Sequence, residues 1–171
     1  MSVRRLTRCA VLTALALALS VAEGLVPLTV LIPLPGLRLG LANLVTLYAL
    51  YALSGRDALL ILVARCLLGA LVGGNLMALA FSLTGGLLSL GVMALLRRVP
   101  GLSLFGVSMA GAAAHNTGQI LSALVVLGSL SPLVYLPPLL LCSLVTGAFT
   151  GAVAALLVRY VPSPVESERK T

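Results

Sequence analysis

The segment FGVSMAGAAAHNTGQILSALVVL, residues 105–127, decides how this chain folds. It is apolar and about 20 residues long, the length that an α-helix needs to cross the ~30 Å hydrocarbon core of a bilayer. Its centre nevertheless carries His115, Asn116 and Gln119. Polar side chains at that depth are costly and usually face a bundle interior, a cavity or a pathway. The segment therefore predicts a membrane helix with one polar face.

The spacing of these three residues places them around one crevice. His115 and Gln119 are four residues apart and share a helical face, and Asn116 lies about 100° round the helix from His115. We expect this face to line a small-molecule site inside a helical membrane protein. Hydrogen bonds that only hold helices together use the same residue types, so a purely structural role stays open.

The composition fits no ordinary soluble domain. Of 171 residues, 60% are hydrophobic and 9% are charged, and the mean hydropathy is +1.18, whereas soluble chains are about a quarter charged. We predict an all-α polytopic membrane protein with a single domain over residues 1–171. Its six transmembrane helices are expected at residues 6–26, 37–53, 58–72, 76–96, 105–127 and 137–160, with a polar tail over residues 161–171.

The basic residues predict the orientation of this bundle. The net charge is +7, and most of it sits at the ends of the expected helices, so topology explains it better than a nucleic-acid partner, which we do not expect. Six helices place both termini on one side of the membrane. Nine basic residues fall on that side, against Arg38 alone at the opposite surface and Arg65 within the membrane: Arg4, Arg5, Arg8, Arg56, Arg97, Arg98, Arg159, Arg169 and Lys170. By the positive-inside rule we expect a multi-pass protein of a bacterial cell membrane with both termini in the cytoplasm.

The first helix and the loop after it allow two interpretations each. The basic start followed by an apolar run also resembles a signal peptide. Alanines at positions 10, 14, 18 and 22 make a smooth stripe, either for packing in this bundle or for docking against another protein. Residues 27–36 contain three prolines and cannot form a regular helix. This apolar loop is expected to act as a lid or as a fixed re-entrant cap.

The expected substrate-binding site gathers polar residues from every helix but the sixth. By the predicted layout they lie in the outer half or the middle of the membrane, as a pocket open to the outside requires. They are Glu23, Arg38, Asn43, Arg65, Asn75, His115, Asn116 and Gln119. Two arginines with one carboxylate leave a positive surplus, which favours an anionic or strongly hydrogen-bonding ligand group. The alternative is that Glu23 pairs with either arginine as a structural clamp.

The chain lacks the residues that the common catalytic and metal sites require. It has no Walker A loop, and Asp57 is its only aspartate, so it has no pair of Asp-rich motifs to hold Mg²⁺ and a diphosphate. A single histidine and three dispersed cysteines make no zinc site. We therefore expect no catalytic residue, no metal and no cofactor. Asp57, in a turn beside Arg56, is expected to be a solvated turn residue or a helix N-cap.

Two further patterns predict close helix packing. Asn75, Ser82 and Ser89 recur every seven residues along the fourth helix and give it a small polar face. Gly147 and Gly151 have the GxxxG spacing that lets two helices approach closely. This spacing is a packing motif first and does not by itself indicate an oligomer.

Several segments resemble one known family. RLTRCAVLTALALALSVAEGLVPL (residues 5–28), PGLRLGLANLVTLYAL (35–50), RCLLGALVGG (65–74), SLTGGLLSLGVMALL (82–96) and AGAAAHNTGQ (110–119) look like the Gx transporter family, whose members are often labelled heptaprenyl diphosphate synthase component I. The resemblance covers residues 6–159, and PGLRLGLAN and AHNTGQ are its specific parts.

That family is itself similar to the S components of energy-coupling factor (ECF) transporters. The resemblance implies six helices and a first-loop lid over an outward-facing pocket. It also implies an Ala-rich face, here Ala10, Ala14 and Ala18, that docks onto a transmembrane coupling subunit driven by cytoplasmic ATPases. In that mechanism the whole bundle topples in the membrane to carry its ligand inward.

The sequence thus leaves three hypotheses. The first is a substrate-binding membrane subunit for uptake of a small anionic or amphipathic compound. The second is a non-catalytic membrane subunit of an assembly for polyprenyl diphosphate or quinone synthesis, or for redox chemistry. The third is a structural scaffold without a cavity.

Overall fold

The computed structural model describes residues 3–25, 40–73 and 76–160, and within these ranges the chain is helical with no strand. Six α-helices and a short 3₁₀ helix at Ser131–Tyr135 follow one another. The α-helices are α1 (Val3–Leu25), α2 (Leu41–Ala52), α3 (Gly55–Gly73), α4 (Leu76–Leu96), α5 (Leu104–Leu127) and α6 (Leu136–Tyr160). The predicted all-α, six-helix fold class is confirmed.

The short helix α2 lies at the centre of the bundle. It contacts α1, α3, α4 and α6, while α5 packs between α4 and α6. Eight of the twelve residues of α2 are buried. Its Leu47 and Leu50 join Ile61 of α3, Met93 of α4 and Val107 of α5 in the fully buried core. Cys9 and Ala16 of α1 and Ala154 of α6 belong to the same core, so all six α-helices contribute to it, with α2 at its centre.

The outer surface of the bundle is that of a membrane protein. Three helical stretches in the described part are long and apolar enough to cross a bilayer by length and composition, namely Val3–Leu25, Leu76–Leu96 and Ser131–Tyr160. Leu71, Val125 and Val145 point outward with at least 73% of their surface exposed. Exposed apolar side chains on several helices would be an aggregation hazard in water but are the natural contact with lipid chains.

Helix α2 begins later than the sequence suggested. A helix was expected over residues 37–53, whereas the described helix starts at Leu41 because Gly40 adopts a left-handed conformation with φ of 78°. Residues 37–39 lie outside the described ranges. The twelve residues of α2 rise about 18 Å, which is less than the ~30 Å needed to cross the hydrocarbon core alone.

Asp57, in the first turn of α3, is bound to the start of α1. Its expected role as a solvated turn residue or N-cap is therefore wrong. The residue is 4% exposed. Its Oδ1 pairs with Nε of Arg5 at 2.7 Å, and Cys9 Sγ approaches the same oxygen at 3.7 Å. Ser54 takes the cap position instead: its hydroxyl donates to Asp57 Oδ2 at 2.8 Å and accepts from the Asp57 N–H at 3.2 Å. This reciprocal cap starts α3 at Gly55, three residues before the expected start.

Glycines set the spacing of the helices around α5. A Cβ on Gly118 of α5 would lie 2.7 Å from Cα of Gly85 in α4, so the two backbones touch there. On the other side, a Cβ on Gly147 of α6 would lie 2.6 Å from Cα of Met109, and one on Gly151 would lie 3.1 Å from Cα of Phe105. The GxxxG pair thus packs α6 onto α5 within the chain.

Candidate functional site

A small polar cavity lies where α1 ends and α2 begins. Its volume is about 20 Å³, roughly the space of one water molecule. We call it the polar cavity. Five α-helices and the residue before α2 supply its wall, which consists of Ser20, Glu23, Gly40, Ala42, Asn43, Arg65, Ser82, His115 and Gln119.

The carboxylate of Glu23 joins two segments of this wall. Glu23 is the third residue from the end of α1 and is 5% exposed. Its Oε1 accepts a hydrogen bond from the Gly40 N–H at 2.6 Å. The Gly40 carbonyl in turn accepts from the Asn43 N–H at 2.9 Å, which begins α2. The carboxylate therefore fixes where α2 starts and at the same time faces the cavity.

Arg65 brings a positive charge to the same cavity. It lies in the middle of α3 and is 7% exposed. A buried arginine inside a membrane bundle is rare and is usually found at a functional site. The described part of the wall thus carries one carboxylate and one guanidinium. Glu23, Arg65 and His115 each have an interaction partner, so none of the three is an unpaired group.

Helix α5 supplies residues to two adjoining cavities. His115 and Gln119 line the polar cavity. Asn116, turned by about 100°, lines a second cavity of about 20 Å³ that also contacts Asn43 and His115. The Asn116 Nδ2 donates to the Leu139 carbonyl of α6 at 3.0 Å. Asn116 therefore braces α5 against α6 while its side chain borders the second cavity.

The second cavity contains a hydroxyl that is available to hydrogen-bond a ligand. Ser89 of α4 is 1% exposed, and its Oγ has no hydrogen-bond partner among the described residues. Across the cavity, Ser108 and Thr150 bond to each other at 2.9 Å. Buried hydroxyls in proteins are normally paired, so Ser89 offers a donor and an acceptor to whatever enters.

A larger apolar groove begins beside the polar cavity. It measures about 710 Å³ and runs between the start of α4, the end of α5, the 3₁₀ helix and the start of α6. We call it the apolar groove. Ser82 and Gln119 belong to the walls of both the polar cavity and the groove. The other groove residues include Met77, Phe81, Ile120, Ala123, Leu127 and Val134.

The structure brings together six of the eight substrate-binding residues predicted from sequence. Five line the polar cavity and Asn116 lines its neighbour. Arg38 and Asn75 lie outside the described ranges, as do the predicted loop at residues 27–36 and the polar tail. Whether these residues bind a ligand stays a prediction.

Four further wall residues were not in the predicted set, and one of them, Ala42, is apolar. Ser20 and Gly40 carried no strong signal, because a serine near a helix end and a glycine in a loop are common. Ser82 did carry one, since its seven-residue spacing from Ser89 predicts a polar stripe. Both serines of that stripe now border cavities.

The alanine stripe of α1 faces outward. Ala10, Ala14 and Ala18 are exposed in the isolated chain, and α1 packs chiefly against α2 and α3. Docking on this stripe stays a prediction. In the ranges that the structure covers, no three His, Cys, Asp or Glu side chains come close enough to hold a metal ion.

Fold and site together define a six-helix membrane protein with a charged and amide-lined cavity in its interior. The family described as heptaprenyl diphosphate synthase component I matches residues 12–157. The chain therefore belongs to this family, whose description indicates a component of a synthase assembly. Comparisons with curated proteins and with solved structures gave no match.

Proposed function

We propose that this protein is a non-catalytic membrane subunit that binds a small anionic or amphipathic compound and takes part in its uptake. The convergence of five helices on the polar cavity carries the proposal. Glu23, Arg65 and His115 come from three different helices, and they border one space. A scaffold needs no such convergence, because pairwise hydrogen bonds suffice to hold helices together.

The donor set of the cavity fits a ligand with polar oxygen atoms. Arg65 and the amides of Asn43 and Gln119 supply donors, while Glu23 and the amide oxygens supply acceptors. A guanidinium binds carboxylate or phosphate oxygens with strong, charge-assisted hydrogen bonds. The free-energy cost of removing a polar group from water into a membrane interior is offset only when such hydrogen-bond partners are present.

The proposed subunit depends on partners for energy. The sequence has no Walker A loop and one aspartate, Asp57, which is bound to Arg5 at the other end of the bundle. In the proposed role, a coupling subunit with cytoplasmic ATPases supplies the energy for transport, as in ECF transporters. The exposed stripe of Ala10, Ala14 and Ala18 is the proposed contact, since small residues let another helix approach closely. The basic residues favour cytoplasmic termini in a bacterial cell membrane.

A second candidate function is an accessory membrane subunit of a polyprenyl diphosphate synthase. The description of the family favours it. Prenyl transfer needs Mg²⁺ held by clustered carboxylates, and the chain's single aspartate supplies no such cluster. In this role the chain would hold a precursor or anchor a catalytic partner at the membrane.

Native mass spectrometry of the protein, extracted gently from its own membrane, tests the two roles together. We compare the wild type with Arg65→Gln and with Arg56→Gln, a matched control in which an exposed arginine of the same helix is replaced. If the protein is an uptake subunit, we expect one bound small molecule per chain, which the Arg56→Gln variant retains and the Arg65→Gln variant loses. Asn43→Ala provides a second test if Arg65→Gln does not fold.

The partner subunits decide between the candidates. Co-purified ATPases and a coupling subunit support uptake, and a co-purified synthase without ATPases supports the accessory role. A small molecule that is retained equally by Arg65→Gln and Asn43→Ala would refute the assignment of the polar cavity.

A further inference from the structure

We propose that the polar cavity and the apolar groove form one two-part site for a single-chain amphiphile, an apolar chain that ends in a compact oxygen-bearing headgroup. This inference rests on the proposed binding function and specifies the class of its ligand. The headgroup occupies the polar cavity beside Arg65, and the chain lies in the groove.

Two residues make the parts continuous. Ser82 of α4 and Gln119 of α5 each border the cavity on one side and the groove on the other. A ligand atom between them therefore has hydrogen-bonding neighbours behind it and apolar neighbours ahead of it. The wall changes from Glu23 and Arg65 to Phe81 and Ile120 across this junction, which matches the polarity profile of an amphiphile.

The length of the groove fixes the length of the chain that it shelters. Gln119 stands at its inner end and Leu127 at its outer end along α5. Eight helical residues span about 12 Å. An apolar chain is therefore covered over roughly 12 Å, and any longer part extends past the 3₁₀ helix.

The size and charge of the cavity restrict the headgroup. A volume of about 20 Å³ accommodates one water-sized group, such as a hydroxyl or a carboxylate oxygen. Helices α4 and α5 pack tightly beside the cavity, as a Cβ on Gly85 would lie 2.9 Å from the His115 carbonyl oxygen. One guanidinium and one carboxylate in the described wall also give no excess positive charge for a multiply charged head. A diphosphate therefore fits poorly where an alcohol or a monocarboxylate fits.

Photolabelling of the full chain in lipid nanodiscs tests the site. The probe is a ten-carbon alcohol with a diazirine at its apolar end. We expect label in the α5 peptide that contains Ile120 to Leu127. Unlabelled decanol should compete with the probe. Farnesol should compete at least tenfold better than farnesyl diphosphate, since the two share a chain and differ in the headgroup.

A matched pair of variants separates the site from bulk lipid. Ala123→Phe places a ring in the groove, whereas Val125→Phe adds the same ring on α5 at a position that is 84% exposed and outside the groove. We expect Ala123→Phe to reduce labelling at least fivefold and Val125→Phe to leave it unchanged. Equal labelling in both variants would mean that the probe reports lipid partitioning, and it would overturn the two-part site.

The proposed compact headgroup and the proposed binding function are tested by different measurements. Competition by farnesyl diphosphate as strong as that by farnesol would overturn the compact headgroup. Failure of decanol to compete would overturn the role of the groove. Neither result touches the test of the polar cavity itself, because Arg65→Gln measures retention of the native small molecule whatever its chain.

Discussion

Replacing Gly118 by alanine tests whether the contact between α4 and α5 holds the site together. The added Cβ would lie 2.7 Å from Cα of Gly85, 2.9 Å from the Thr84 carbonyl oxygen and 3.0 Å from the Gly85 nitrogen. All three are backbone atoms, so no side chain can turn away. To restore an ordinary carbon–carbon contact of 3.4 Å, the two helices must separate by about 0.7 Å.

The expected cost follows from two opposing effects. Overpacking a well-packed interior costs about 1–3 kcal/mol. Alanine in place of a mid-helix glycine returns about 0.5–1 kcal/mol of helix stability. We expect a net loss of about 1–2 kcal/mol in the free energy of unfolding, or a fall of about 3–6 °C in Tm for a chain of this size.

Gly91→Ala is the matched control on α4. No atom of a neighbouring group lies within 4 Å of its added Cβ. The same substitution there retains the helix-propensity gain without the clash, so we expect an unchanged or slightly raised Tm, by up to about 1 kcal/mol of stability. The two variants differ only in what the new methyl group meets.

A thiol-reactive maleimide dye supplies the assay in detergent. Cys9 and Cys66 are buried and Cys142 is half-buried, and none forms a disulfide. Dye fluorescence therefore rises as the bundle unfolds. A Tm for Gly118→Ala equal to or above that of Gly91→Ala would refute the close α4–α5 contact beside the polar cavity.

Two other predictions concern the ends of the bundle. Arg5→Gln should lower Tm because it leaves the buried Asp57 carboxylate without its cationic partner. Arg4→Gln, which replaces an exposed arginine next to it, should not lower Tm. Equal Tm values for the two variants would show that the Arg5–Asp57 ion pair does not stabilise the bundle. If both termini are cytoplasmic, a cysteine at Leu130, which is 73% exposed, should react with an impermeant maleimide in intact cells. A cysteine at Val99, which lies between α4 and α5 and so at the other end of α5 from Leu130, should react only after permeabilisation. The wild type corrects for native thiols, and the reverse pattern would invert the proposed topology.

The membrane class was predictable because the sequence is apolar, and much of the candidate site was predictable because its polar residues are exceptions to that apolar background. In a chain that is 60% hydrophobic, Glu23, Arg65 and His115 stand out, and burying such groups in a membrane requires polar partners. Asp57 shows the limit of this reasoning. Its neighbours in sequence suggest a solvated turn, and only the packing of α1 against α3 brings Arg5, 52 positions away, to its carboxylate.

The amino-acid sequence by itself determined the helical class, the close-packing glycines and the set of polar residues that avoid lipid. These are properties of composition and of local periodicity, which act within a few residues. Only the tertiary structure decided that Asn116 turns to Leu139 while Gln119 borders both cavity and groove. Such assignments depend on helix rotation and on the distance between backbones, which are set by packing among all six helices at once.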